Sequence, residues 1–148
     1  MSKSAIFPGS FDPFTIGHAD IVNRALPYFD KIIIAIGNNS SKQYLFSVDE
    51  RIKSISNYFK NEIKISVITY DGLTADFCKE NEITTIIRGL RSVIDFEYEQ
   101  SIAQMNSSLG NGPETFFLMC KPEHAHISST IIRDIIRNGG DAKPWTII

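Results

Sequence analysis

Cysteine is scarce: the 148 residues hold two, Cys78 and Cys120, with no close spacing and no metal-ligand pattern beside them. So few in a chain of this size point to a reducing compartment. No apolar run is long enough to span a bilayer, and Met1-Ser2-Lys3-Ser4 runs into a short strand-like segment rather than a signal-peptide core. The expectation is therefore cytoplasmic, with no membrane partner. An excess of one charge is also missing: fifteen Lys and Arg stand against seventeen Asp and Glu, a net charge of −2. That balance argues against bulk binding to nucleic acid, and leaves room for a local basic pocket. Nor is there an internal repeat, a low-complexity tract or a linker, so residues 1–148 are expected to form a single domain.

What is present is a globular composition, 43% hydrophobic and 22% charged, with short apolar runs alternating with segments of helical period. Strands are predicted at Ala5 to Phe7, Ile32 to Ile36, Ile63 to Thr69, Thr85 to Ile87 (ending at Arg88-Gly89) and Thr115 to Met119. Helices are predicted at Gly17 to Leu26, from Ser47, at Leu73 to Asn81, Phe96 to Leu109 and Ser129 to Arg137, with a break at Gly110-Asn111-Gly112-Pro113. Ser47 and Glu50 form a capping-box pattern, and Ile52, Ile55 and Phe59 follow at helical spacing. Five strands alternating with helices predict an α/β fold, a parallel sheet covered on both faces.

In such a sheet ligands bind beyond the carboxyl ends of the strands, where strand order reverses. The polar residues collect there. After strand one comes Pro8-Gly9-Ser10-Phe11-Asp12-Pro13-Phe14-Thr15-Ile16-Gly17-His18, neither a Walker A loop nor G-x-G-x-x-G. Its glycines and the following helix N-terminus suit a phosphate, and an imidazole there can donate to a phosphate oxygen, its pKa depressed by the helix dipole. A plain turn followed by a surface histidine is the alternative. After strand four, Arg88-Gly89-Leu90-Arg91 suits an anion held by charge-assisted hydrogen bonds, or else a solvated arginine pair matched to Asp95, Glu97 and Glu99. After strand five, Ile127-Ser128-Ser129-Thr130 supplies N-caps that also serve as phosphate ligands. His124 and His126 form H-x-H without a third ligand at finger-like spacing and read as loop residues. Lys42 by itself is a surface lysine.

Taken together these segments resemble a known family. Thr15-Ile16-Gly17-His18 is similar to the T/H-x-G-H signature of the nucleotidyltransferase superfamily, and Ile127-Ser128-Ser129-Thr130 with Arg133 resembles its second signature. Pro8 to Pro13, Arg88 to Arg91 and Asp95 to Glu99 narrow the resemblance to the bacterial phosphopantetheine adenylyltransferases. The resemblance implies strand order 3-2-1-4-5, a homohexamer, and transfer of the adenylyl group of ATP to 4′-phosphopantetheine, with Mg²⁺. By position it implies His18 as the catalytic residue and Ser10 against both substrates. ATP contacts are implied for Phe11, His18, Gly89, Leu90, Arg91, Glu99, His124, Ala125, His126, Ile127, Ser128, Ser129 and Thr130. Lys42 and Arg88 are implied on the acceptor's phosphate, Leu73 and Thr74 along its arm. Metal ligands are not implied.

The chemistry accords with the residues. A phosphate monoester has a second pKa near ~6, so at neutral pH it is largely a dianion and already a nucleophile. The reaction needs no general base, and the sequence offers no convincing one. It needs alignment of two anions and stabilisation of charge on the α-phosphate and pyrophosphate. Alternatives are a related enzyme acting on nicotinamide mononucleotide or glycerol phosphate, or a non-catalytic nucleotide sensor on the same fold.

Overall fold

The computed structural model describes residues 2–109 and 112–148. Gly110 and Asn111 of the expected helix break lie outside the described residues. Five strands, β1 (Ser4–Gly9), β2 (Lys31–Gly37), β3 (Ile65–Tyr70), β4 (Thr85–Leu90) and β5 (Glu114–Met119), form one parallel sheet of order β3-β2-β1-β4-β5. The five α-helices are α1 (Ile16–Ala25), α2 (Val48–Tyr58), α3 (Thr74–Glu80), α4 (Val93–Ser108) and α5 (Ser129–Arg137).

Side chains of a strand alternate between faces, and β1 shows why both faces must be covered. Ala5 and Phe7 join Ile32, Ile34 and Ile36 in a core with Val22 of α1 and Ile55 of α2. Ile6 faces the other way, into a second core with Ala35, Ile86 and Cys78 of α3. Strands buried on both sides have no polar face to alternate with, hence their near-continuous apolar runs.

Several boundaries differ from expectation, and β1 runs on through Pro8 and Gly9, paired to β2 as far as Gly9↔Ile36. β3 begins at Ile65, and Ile63 is 98% exposed; an isolated apolar residue ahead of a strand carries no periodicity to exclude it. β4 continues through Arg88, Gly89 and Leu90, paired to β5 as far as Leu90↔Met119. α4 starts at Val93, where the Ser92 hydroxyl accepts from the Asp95 N–H; Asp95 sits inside the first turn. The capping box on α2 is present as expected, with Ser47 Oγ accepting from Glu50 N–H and Glu50 accepting from Ser47 N–H.

Candidate active site

The site begins with a gap in the sheet. β1 pairs with β2 along six positions but with β4 at only two, Ala5↔Thr85 and Ile6↔Ile86. Beyond them β1 and β4 part, which is the strand-order reversal where a parallel sheet opens a crevice. Arg88 bridges the opening. Its Nη1 donates to the Pro8 carbonyl, and its Nε and Nη2 donate to the two carboxylate oxygens of Glu99 at 2.9 and 2.6 Å. Glu99 comes from α4 and is itself buried.

The loop after β1 is fixed by side chains reaching its carbonyls. Beyond the hold of Arg88 on Pro8 near the end of β1, Arg51 donates to Ser10 O at 2.7 Å, Arg133 to Asp12 O at 2.9 Å, and the Ser129 hydroxyl to Pro13 O at 2.8 Å. A loop cannot satisfy its own backbone as a helix does, so an ordered one needs such donors. Gly9 is required for close approach: a Cβ there would lie 2.8 Å from the Phe11 ring.

His18 sits at the third position of α1 in a reciprocal cap. Its backbone N–H donates to Thr15 Oγ1, and the Thr15 N–H donates to its Nδ1 at 2.9 Å. Nδ1 is therefore an acceptor, and the neutral ring carries its proton on Nε2, which has no protein partner among the described residues. The ring is enclosed by Phe7, Phe11 and Phe14 at centroid distances of 6.2, 5.1 and 5.1 Å. Burial first, then the charges of Arg88 and Arg91, pull its pKa from 6.5 down to about 3. The direction is the one expected, and burial and the two arginines account for it.

Two cavities meet at this crevice. One, of about 300 Å³, is lined by Gly17, His18, Gly89, Arg91, His124 and Ser128, among others; the second, of about 270 Å³, by Lys42, Tyr44, Tyr70, Thr74 and Asn106. Both share Pro8, Gly9, Ser10, Arg88 and Glu99. The N-termini of α1 and α5 point at the first cavity, and neither has an acidic residue in its first turn, whereas α2, α3 and α4 all do. Helix starts normally attract carboxylates. Their absence from the two starts that line a cavity keeps those free N–H groups for an anion.

Of the residues expected against ATP, Ser10, Phe11, His18, Gly89, Arg91, Glu99, His124, Ile127, Ser128, Ser129 and Thr130 line the first cavity. Leu90 is buried in the core, and Ala125 and His126 are exposed; these three line neither cavity. Of the acceptor residues, Ser10, Lys42, Thr74 and Arg88 line the second cavity, and Leu73 stands outside it, 57% exposed, as the N-cap of α3. Arginines 88 and 91 are matched to Glu99 and Asp95, as one reading had it, but across the mouth of a crevice rather than in solvent. The Ser129 proton is committed to Pro13 O, so this hydroxyl locks the loop. Arg51, buried beside the site, gave no functional signal in the sequence, and the buried Asp12 was legible only as part of the Pro8-to-Pro13 segment. Arg51 stands four residues before Ile55 on the buried face of α2, and a charge on an apolar stripe is the clue that was available.

A cytidylyltransferase-like family model matches residues 6–135. The chain is 52% identical to the phosphopantetheine adenylyltransferase of Christiangramia forsetii, over 94% of this chain and 91% of that one. It is 53% identical to the protein of the same name from Cytophaga hutchinsonii, over 95% and 94%. Among solved structures it is similar to a bifunctional NMN adenylyltransferase/ADP ribose pyrophosphatase from Francisella tularensis, with a TM-score of 0.72 at 18% identity; all of this chain matches 46% of that one. A putative nicotinate-nucleotide adenylyltransferase from Vibrio parahaemolyticus aligns with a TM-score of 0.66 at 20% identity, over 99% of this chain and 94% of that one. The last two likenesses are of fold.

Proposed function

This chain belongs to the phosphopantetheine adenylyltransferases of the cytidylyltransferase-like family, and on that premise we propose that it joins ATP to 4′-phosphopantetheine, giving dephospho-coenzyme A and pyrophosphate. The observation that carries the reading is the pair of cavities sharing one wall at Ser10, Arg88 and Glu99. One cavity has the helix starts and the imidazole a triphosphate needs. The other, lined by Lys42, Tyr44, Tyr70 and Thr74, would take the acceptor. Two substrates seated in them would present their phosphates to each other at the shared wall.

The acceptor's phosphate dianion attacks the α-phosphorus of ATP, and the bond to the bridging oxygen of pyrophosphate breaks. Lys42, Arg88 and Arg91 offset the repulsion between the anions. His18, as a neutral Nε2–H donor, meets charge developing on the α-phosphate without a proton being lost from the ring. Ser10 borders both cavities and orients oxygens from either side. Among the described residues no three His, Cys, Asp or Glu gather to hold a metal. Mg²⁺ accompanying ATP would supply charge neutralisation on the triphosphate, and His18 with the starts of α1 and α5 would face that complex in the nucleotide cavity.

α4 supports assembly. Ile94, Tyr98, Ile102, Met105 and Leu109 form a stripe at helical spacing, each at least 38% exposed, more apolar surface than one helix of a monomer leaves to water. We place a self-association surface there, in keeping with a homohexamer. Among the described residues no helix is long and apolar enough to cross a membrane, and the free thiols of Cys78 and Cys120 suit the cytoplasm.

Purified protein with Mg-ATP and 4′-phosphopantetheine should release pyrophosphate, with nicotinamide mononucleotide and glycerol phosphate as inactive parallel acceptors. Release with either of these instead would overturn the acceptor, and no release with any would overturn the reaction.

A further inference from the structure

Two buried charges near the active site are not paired with each other. Asp12 and Arg51 are 2% and 3% exposed. The Asp12 carboxylate accepts from the backbone N–H groups of Leu45 and Phe46, both at 2.8 Å. Arg51 donates to Ser10 O at 2.7 Å from Nη1, and from Nε to Phe46 O at 3.2 Å and Ser47 O at 3.4 Å. Its guanidinium lies 4.1 Å above the centroid of the Tyr44 ring. Among the described residues no carboxylate stands within ion-pair distance of it.

Each charge thus holds the other's segment. The acid belongs to the loop after β1 and grips the stretch that follows Lys42. The base belongs to α2, just beyond that stretch, and grips the loop after β1. Burying a charge is costly unless fixed dipoles replace its water, and here every dipole comes from the two segments being tied. A bidentate Asp12–Arg51 pair would tie the loop to α2 and leave the stretch after Lys42, now held at the Leu45 and Phe46 N–H groups, unsecured. Ser10 borders both cavities, while Lys42 and Tyr44 border the acceptor's alone.

We infer that Arg51, with Asp12 as its counterpart, is a positioning residue that sets the acceptor-side segment Lys42–Ser47 against Ser10, and so fixes the distance between the two reacting phosphates. This rests on the two-substrate reaction proposed above. The planar fork reaches Ser10 O and Phe46 O at once while stacking on Tyr44, and a lysine ammonium cannot do all three. Loss of the clamp leaves the nucleotide cavity's helix starts and His18 in place. The effect therefore falls on the acceptor and on alignment.

The test measures initial rates of pyrophosphate release with both substrates varied, for wild type, Arg51→Lys, Arg51→Gln, Tyr44→Leu and the Arg51→Lys/Tyr44→Leu double variant. In the Arg51 variants the acceptor KM should rise and kcat fall by roughly 10- to 100-fold, the scale of a small misalignment, with KM for ATP moving less than about twofold. The double variant should be little worse than the poorer single one, because the residues act as a unit. Unchanged acceptor KM, an equal rise in both KM values, or additive effects would overturn the clamp. If Arg51→Gln does not fold, Arg51→Lys and Tyr44→Leu carry the test. Trypsin cleavage after Lys42 needs no turnover: it should quicken in the Arg51 variants, and cleavage at the wild-type rate counts against the clamp. Wild-type silence in the rate assay would instead overturn the reaction and leave the cleavage result standing.

Discussion

Arg88 and Glu99 form a two-pronged ion pair at 2.9 and 2.6 Å across the wall shared by the two cavities. The guanidinium is thereby held flat, with Nη1 fixed on the Pro8 carbonyl, before any phosphate arrives. Pre-ordering an arginine this way lowers the conformational cost of binding an anion. It also tempers the site's positive charge, so that Arg88 positions as much as it attracts.

Removing either member should weaken acceptor binding to different degrees. Arg88→Ala is expected to raise the acceptor KM roughly 10- to 100-fold, the scale of one lost charge-assisted contact. Glu99→Gln keeps the shape and loses half of the grip, so its rise should be smaller. Steady-state rates with ATP saturating distinguish them; an unchanged KM in Arg88→Ala would remove that residue from the phosphate site.

His18→Ala should lower kcat by roughly 10²–10³, the cost of one well-placed transition-state donor, with the fold retained. Because the His18 pKa lies at about 3, the ring is neutral throughout ordinary assay conditions. The pH profile should then show a rise near ~6 from the acceptor's own second ionisation, the same in wild type and variant. An inflection present in wild type and absent from His18→Ala would contradict the neutral-donor role.

The same ring makes stability depend on pH. Its folded pKa, about 3, is below the ordinary 6.5, so between those values the unfolded chain binds a proton the folded one does not. Stability from this group is therefore complete above about pH 6.5 and falls as pH drops toward 3. His18→Gln should flatten that acid limb in melting curves at pH 7 and pH 4.5. An equally steep limb in the variant would assign the loss to other groups.

Two glycines at the site should part company when changed to alanine. A Cβ at Gly89 would sit 3.0 Å from Ile21 Cγ1, where α1 crosses β4, and overpacking there should cost about 1–3 kcal/mol. A Cβ at Gly17 meets only Thr15 and His124, at 3.4 and 3.8 Å, so Gly17→Ala should leave stability within about 0.5 kcal/mol. It would project into the nucleotide cavity, and its KM for ATP should rise. Thermal melts and ATP titrations separate the two, and equal destabilisation would refute the assignment.

Met105→Glu places a charge on the outward stripe of α4, away from both cavities. Light scattering should show a smaller assembly than wild type. Identical masses would move the association surface elsewhere.

Hydrophobic period and turn chemistry are local, so the sequence alone determined the five strands, the five helices and the α2 capping box. The placement of Gly17-His18, Arg88 to Arg91 and Ser128 to Thr130 at strand ends was equally legible, since each follows an apolar run. Contacts made by residues far apart along the chain were not. The pairing of Arg88 with Glu99, the enclosure of His18 by three phenylalanines, and the grip of Arg51 on Ser10 depend on which segments the sheet brings together. β1 and β4 pair at residues 80 positions apart in the chain, Ile6↔Ile86, and their separation beyond that point opens the crevice. A buried charge reads in sequence like a solvated one; only tertiary structure supplies the dipoles that tell them apart.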